Sequence, residues 1–323
     1  MKNHLYPLKF RPILKDKIWG GQKLNQQFNK DSKSQLLGES WEISTVPEDV
    51  SVVANGNLKG ESLQELLEDY KSDLLGEQNY KRFGNDFPLL IKFIDAKQDL
   101  SIQLHPDDEL AKKRHNSFGK TEMWYVMQAD KDANLIVGFN QKVDKKRYLK
   151  HLKDKTLPQI LNYDKVKEGD VYFIEAGRVH AIGAGVLLAE IQQTSDVTYR
   201  VYDWDRVDDE GNERELHNAI AIDAFNFDMK DDFRVAYRKD KNVSNEMVCC
   251  PFFTTNFIEI ASDMEKSNGY DSFLIYMCVD GQVEVSTGNS TTILSKGETL
   301  LIPAAIKNYK LKTDYAKLLE VYV

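Results

Sequence analysis

The chain has 323 residues, 41% of them hydrophobic and 29% charged, a globular rather than a disordered or fibrous composition. That length suggests about two domains and a large buried core. Forty-three bases against 51 acids leave a net charge of −8, which excludes general affinity for nucleic acid but not for a small anion met by a few local cations.

The longest apolar run, Phe273 to Val279, is seven residues, far short of the roughly 20 that a spanning helix needs. The N-terminal stretch MKNHLYPLKFRPIL has no apolar h-region and no small-residue cleavage site. Three cysteines, Cys249, Cys250 and Cys278, make no disulfide framework and fit a reducing compartment. Neighbours on a strand point to opposite faces, so the vicinal pair is a poor metal site. A cytoplasmic protein with no membrane partner is expected.

Along the chain, the first strong pattern is helical. Ser62 with Glu65 forms a capping-box sequence, and Leu63, Leu66, Leu67, Tyr70 and Leu74 follow helical spacing, predicting a helix from Ser62 to about Arg82. Short strands then dominate: Leu89–Asp95, Leu100–His105, Glu122–Ala129, Asn134–Phe139, Val171–Glu175, Val186–Gln192 and Val197–Trp204. Asp107–His115 and Asp144–Lys153 read as short helices between them. The second carries Lys145, Lys146, Arg147, Lys150 and Lys153, which fit a solvated face better than a nucleic-acid surface. His217–Phe225 reads as a helix closing the first half.

Residues 228–245 are polar and poor in large apolar side chains, which places a boundary there and divides the chain into residues 1–230 and 231–323. Beyond it come strands at Phe252–Ile260, Phe273–Val279, Gln282–Ser286, Thr291–Leu294, Thr299–Ile302 and Lys317–Val321. So many short strands predict a mainly β protein, a sandwich or barrel.

One stretch echoes another. Gly169-Asp170-Val171-Tyr172-Phe173-Ile174-Glu175-Ala176 matches Gly297-Glu298-Thr299-Leu300-Leu301-Ile302-Pro303-Ala304 in its turn glycine, acid, apolar strand and small residue. Extending the match sets Asn308 where the first copy has His180. The second copy is therefore expected to be metal-free.

Three segments combine into candidate chemistry. On a strand, Ser101, Gln103 and His105 share one face, and Ile102 and Leu104 take the other. Lys120 and Glu122 alternate at the start of an apolar strand. Gly169-x5-Glu175-x-Gly177-x2-His180 brings a third piece. Taken alone, each has a bland reading: an exposed edge strand, a surface ion pair, a structural histidine. Taken together, Gln103, His105, Glu122 and His180 offer an amide oxygen, a carboxylate and two imidazoles, a set that suits zinc and is open to manganese, iron, cobalt or nickel. A fourth segment, Gln193 to Arg206, puts Asp196, Thr198, Arg200 and Tyr202 on one face, where Arg200 pairs with Asp196 or offers a permanent fork to an anion. His4, His115, His151 and His217 lie in polar or helical contexts and read as surface residues.

The third segment resembles the second cupin motif, with Glu175 in place of its proline. More broadly, the chain resembles the type I mannose-6-phosphate isomerases, in particular their short bacterial form. The resemblance rests on Ile18-Trp19-Gly20-Gly21, Gly38-Glu39-Ser40-Trp41-Glu42, Pro88 to Ala96, Leu100 to Pro106, Gly119-Lys120-Thr121-Glu122, Gly177 to Ala181 and Gln193 to Arg206. It implies a cupin (jelly-roll) catalytic domain over residues 1–230, with a short helical insertion at about 62–82. A C-terminal cupin-like β-domain over 231–323 would follow. It also implies one zinc ion per chain, held by Gln103, His105, Glu122 and His180, and an active-site serine, lysine, aspartate and arginine at Ser101, Lys120, Asp196 and Arg200. Longer members often carry a histidine just before that lysine, proposed as the proton-transfer base; here the position is Gly119, so that assignment does not transfer.

The implied reaction interconverts mannose 6-phosphate and fructose 6-phosphate through a cis-enediol. Arg200 is expected to stabilise the enediolate or guide protons. Lys120 is expected to bind phosphate or move a proton between oxygens. Ser101 and Lys92 are candidates for phosphate or pocket polarity, and Trp19 for a wall of the sugar pocket; Lys92 and Trp19 could equally be structural. The partner is a small phosphorylated sugar, and the chain is expected to be a monomer or small homo-oligomer. A non-catalytic sugar-sensing cupin and another cupin metalloenzyme, such as an oxygenase, are the alternatives.

Overall fold

The computed structural model describes residues 4–207, 210–288 and 290–323. In its first half, two antiparallel sheets face one another. One sheet runs, in spatial order, Ile13–Gly21, Leu37–Ile43, Leu89–Ala96, Val186–Gln193, Glu122–Ala129 and Val171–Ile174. The other runs Tyr199–Tyr202, Ile102–Leu104, His180–Ile182, Asn134–Phe139 and Leu161–Lys165. In the second half, a further sheet is built around the long strand Leu274–Ser286.

The first sheet is buried on both faces, which is why Leu89–Ala96 (LLIKFIDA) and Val186–Gln193 (VLLAEIQQ) are almost continuously apolar. Register divides the two faces. Cross-strand partners Trp41 and Lys92, Lys92 and Glu190, and Glu190 and Trp124 share the inner face. Ile91, Phe93, Met123, Tyr125, Ala189 and Ile191 share the outer one. That outer face forms one apolar cluster with Phe257, Phe273, Ile275, Met277, Leu319 and Val321 of the second half. The two halves thus bury a common core. Phe257→Ala is therefore expected to cost about 3–5 kcal/mol and to lower a single unfolding transition seen alike by calorimetry and by fluorescence. Two separated transitions, with only the later one shifted, would contradict a shared core.

The segment 228–245 also packs on the first half. Phe233 is buried, Val235 N–H donates to the Val171 carbonyl at 2.8 Å, and the Tyr237 hydroxyl donates to the Gly169 carbonyl at 2.9 Å. The neighbouring strand Asn245–Cys249 then begins the second half.

Several elements differ from the sequence reading. The helix expected over 62–82 is three short ones, Leu63–Tyr70, Ser72–Leu75 and Glu77–Phe83. The breaks fall at Lys71 (φ 49°) and at Gly76 (φ 93°). At Gly76 the backbone lies against the Asp271 carbonyl, so no side chain fits. The helix expected over 217–225 shortens to Asn218–Ala221. The strands expected at Phe273–Val279 and Gln282–Ser286 are one strand, continuous through a register shift at Cys278/Asp280. Ile13–Gly21 and Leu37–Ile43 escaped sequence reading because lysines, acids and glycines break their apolar pattern.

The echo of residues 169–176 and 297–304 is also geometric. Gly169 N–H donates to the Val126 carbonyl and Val126 N–H to that of Asp170, at 2.8 and 2.9 Å. Gly297 N–H donates to the Cys278 carbonyl and Cys278 N–H to that of Glu298, at 2.8 and 3.0 Å. Both glycines have positive φ, 86° and 79°.

Candidate metal centre

His180 opens its strand directly opposite Gln103, and Gln103 is opposite Arg200 on the next strand. Glu122 opens its strand on the facing sheet. Strand pairing and sheet stacking thus converge candidate ligands that are up to 77 positions apart in sequence, Gln103 and His180. One ligand atom each from His105, Glu122 and His180 lie within 4.8 Å of one another, and all three residues are buried. His105 Nε2 is 3.5 Å from Glu122 Oε2, and His180 Nε2 is 3.5 Å from Glu122 Oε1.

The tautomers follow from the other ring nitrogens. His105 Nδ1 lies 2.9 Å from the Val197 carbonyl and His180 Nδ1 2.8 Å from the Arg178 carbonyl. Each Nδ1 must donate there, which leaves both Nε2 lone pairs aimed at Glu122. The Gln103 amide nitrogen is 3.4 Å from His180 Nε2. The two amide ends are interchangeable by a half-turn, and that turn brings the oxygen to the same place. Gln103, His105, Glu122 and His180 therefore could hold one divalent ion.

The charges support that fit. Burial lowers His180, to about 4, and holds His105 well below the usual imidazole range, with Lys120 adding to the effect at both. Both rings are thus neutral, as metal ligands must be. Burial raises the Glu122 carboxyl, against the pull of Lys120. Neither Glu122 oxygen has a well-directed hydrogen bond, although Lys120 Nζ is 2.9 Å from Oε2. A buried carboxylate left so poorly satisfied is costly unless a cation meets it.

Lys120 Nζ also lies 3.1 Å from His105 Nε2. Burial alone would lower its pKa, but Glu122, Glu190 and Glu39 together raise it and keep the ammonium charged. Lys92 is buried, 3.3 Å from Glu190 and 3.9 Å from Glu39, with its ammonium over the Trp41 ring. Trp124 Nε1 donates to Glu190 at 2.8 Å and Trp41 Nε1 to Glu39 at 2.6 Å. Burial opposes ionisation of both acids, yet Lys92, with Lys120 at Glu190 and Lys17 at Glu39, keeps both pKa values low. Glu190, Glu39 and Trp124 were not singled out in the sequence. For Glu190 the available signal was the one that flagged Lys92, a lone charge inside an apolar strand.

Arg200 is half-buried. Its Nε is 3.4 Å from the Ser101 hydroxyl, and its Nη1 donates to the Glu215 carbonyl at 2.9 Å. Among the described residues it forms no ion pair with Asp196, which is exposed on a groove of about 970 Å³. That groove runs beside the four candidate ligands rather than over them; Val197, whose carbonyl holds His105, belongs to its wall. His217 departs from the surface reading. It is partly buried, and its Nδ1 accepts the Arg200 N–H at 3.0 Å. Trp19 is 5% exposed and packs with Ile94, Leu100, Trp124 and Leu188 in the apolar part of the barrel.

In the second half, matching registers identify the counterparts. Glu190 opposite Trp124 corresponds to Glu320 opposite Tyr276, whose hydroxyl donates to that carboxylate at 2.6 Å. Gln103 opposite His180 corresponds to Lys266 opposite Tyr309, with Lys266 Nζ 2.8 Å from Glu320. The expected counterpart of His180, Asn308, is exposed; the inward residue is its neighbour Tyr309. The loop before that strand is one residue longer in effect, which shifts the face by one position. Leu274 stands where Glu122 does. An internal ammonium and two tyrosines thus fill the space that the first half gives to imidazoles and a carboxylate.

Two family models match the chain: phosphomannose isomerase type I, catalytic domain, over residues 8–137, and mannose-6-phosphate isomerase, cupin domain, over residues 244–323. The chain is 36% identical over 309 residues to the mannose-6-phosphate isomerase of Streptococcus mutans, a match covering 95% of this chain and 96% of that one. To the mannose-6-phosphate isomerase ManA of Bacillus subtilis it is 35% identical, with the same coverage. The crystal structure of the mannose 6-phosphate isomerase from Bacillus subtilis superposes with a TM-score of 0.89 at 32% identity, over 98% of this chain and 99% of that one.

Proposed function

The chain belongs to the type I mannose-6-phosphate isomerase family, and from that premise we propose how its own residues carry out the reaction. It is an aldose–ketose isomerase that interconverts mannose 6-phosphate and fructose 6-phosphate and depends on a divalent metal. The non-catalytic sensor and the cupin oxygenase are not favoured, since full-length relatives carry the isomerase name. The convergence of His105, Glu122 and His180 carries the mechanistic reading.

Gln103, His105, Glu122 and His180 are assigned as the ligands of one ion, and zinc suits two imidazoles with oxygen donors. When bound, the ion supplies Lewis-acid polarisation and a template for the sugar oxygens at C1 and C2. Proton transfer from C2 to C1 builds negative charge on those oxygens. Lys120, beside Glu122 and His105, lies at that reacting end and is assigned to donate hydrogen bonds and protons there, rather than to bind phosphate. Arg200, fixed by Glu215 and Ser101, is assigned to the enediolate, where its fork keeps a permanent charge. Ser101 and the exposed Asp196 are assigned to substrate hydroxyls. Lys92 is spent on Glu190 and Glu39, so its role is to keep the barrel interior charged in a fixed pattern. Trp19 supplies the apolar floor.

The enzyme is expected to work in the cytoplasm as a monomer or small homo-oligomer, with no nucleic-acid or membrane partner. The test is chelation and reconstitution. Chelator-stripped protein is expected to lose isomerisation of both sugar phosphates and to regain it with one zinc per chain. Activity surviving complete metal removal would refute the assignment, and recovery only with another divalent ion would replace zinc.

A further inference from the structure

Lys120 and Glu122 sit on the short segment that joins the helix Asp108–His115 to the strand Glu122–Ala129. A segment of this kind is free to shift unless its backbone is tied on both sides. Two side chains do that here. Gln193, 5% exposed, accepts the Thr121 N–H through Oε1 at 2.9 Å and donates through Nε2 to Asp108 Oδ1 at 2.9 Å. The same Asp108 Oδ1 accepts the Gly119 N–H at 2.8 Å. The backbone amides on either side of Lys120 are thus bound by one connected pair, Gln193 and Asp108. The Gln193 amide cannot turn over, because its oxygen would then face a carboxylate and its NH₂ an amide donor.

Gly119 belongs to the same device. A Cβ there would lie 2.5 Å from Asp108 N and 2.6 Å from the Asp107 carbonyl carbon, so the residue before the lysine must be glycine for the segment to press against the helix. The carbonyl of Pro106 adds a third tie, accepting the Lys120 N–H at 3.1 Å. None of these groups touches the ligand atoms, so their effect on chemistry runs through the position of Lys120.

We propose that Gln193 and Asp108 act as a clamp, with Gln193 the positioning residue that holds the Lys120 ammonium beside Glu122, at the reacting end of the site, during proton transfer. The inference rests on the isomerase reading and predicts a signature that a structural role lacks. Gln193→Ala is expected to lower kcat by about tenfold to a hundredfold, the scale of an ångström-level displacement. KM should stay within roughly twofold, and metal content and thermal midpoint should stay near those of the parent. Asp108→Ala should reproduce the loss, Asp108→Asn should recover most of it because its Oδ1 still accepts, and the double alanine variant should lose no more than either single one.

Amide hydrogen exchange at Gly119 and Thr121 is expected to quicken in Gln193→Ala, which reads the clamp without an assay. An unchanged kcat in Gln193→Ala with an active parent overturns the clamp alone. So does a loss that follows metal loss or unfolding. An inactive, fully metallated parent overturns both the isomerase reading and the inference built on it.

Discussion

Replacing His180 with alanine is expected to empty the metal site. Bound metal should fall from about one equivalent to less than a tenth, and isomerase activity by at least about a thousandfold, the loss of several kcal/mol of transition-state stabilisation. His180 is chosen because its Nδ1 is committed to the Arg178 carbonyl and its Nε2 faces Glu122. No neighbouring imidazole can take over, since the other candidate, His105, is itself needed on the opposite side of the same carboxylate. The fold should persist, because the surrounding strands are held by their own ladders on both sides of His180. Metal analysis and circular dichroism on one sample check this. A His180→Ala protein that keeps its metal would remove His180 from the ligand set.

Arg200→Lys is expected to lower kcat about a hundredfold while leaving the metal in place. A lysine keeps the charge but not the fork, so it cannot meet the Glu215 carbonyl and the Ser101 hydroxyl while presenting a second N–H edge to the sugar. Steady-state kinetics separate two roles. A fall in kcat places Arg200 at the enediolate; a rise in KM alone would move it to ground-state binding of the phosphate. Unchanged kinetics would show that Arg200 is not in the site.

The candidate ligands were legible because each sits in a local pattern that strand geometry makes unusual. Gln103 and His105 form a polar face in the apolar run Ser101 to His105, and His180 follows two turn glycines at fixed spacing. Glu122 alone had no such signal and gained meaning only beside the others. The supporting shell was much less legible. Glu190, Gln193 and His217 act through partners far along the chain, as Glu39 does through Lys92, and no window of neighbouring residues contains both members of these pairs.

Composition, strand-length patterning and turn glycines sufficed for a mainly β chain with a repeated unit, because those signals depend on neighbours two to eight residues apart. Tertiary structure decided where the helix over 62–82 breaks, since Gly76 yields to the backbone of Asp271, which belongs to the other half. It decided that Tyr309, not Asn308, faces inward, since a one-residue shift changes the face of a strand without changing its composition. It also resolved what the net charge of −8 concealed. Lys92 and Lys120 lie buried among Glu39, Glu122 and Glu190, and their charges are set by contacts across the barrel that a count over the chain does not record.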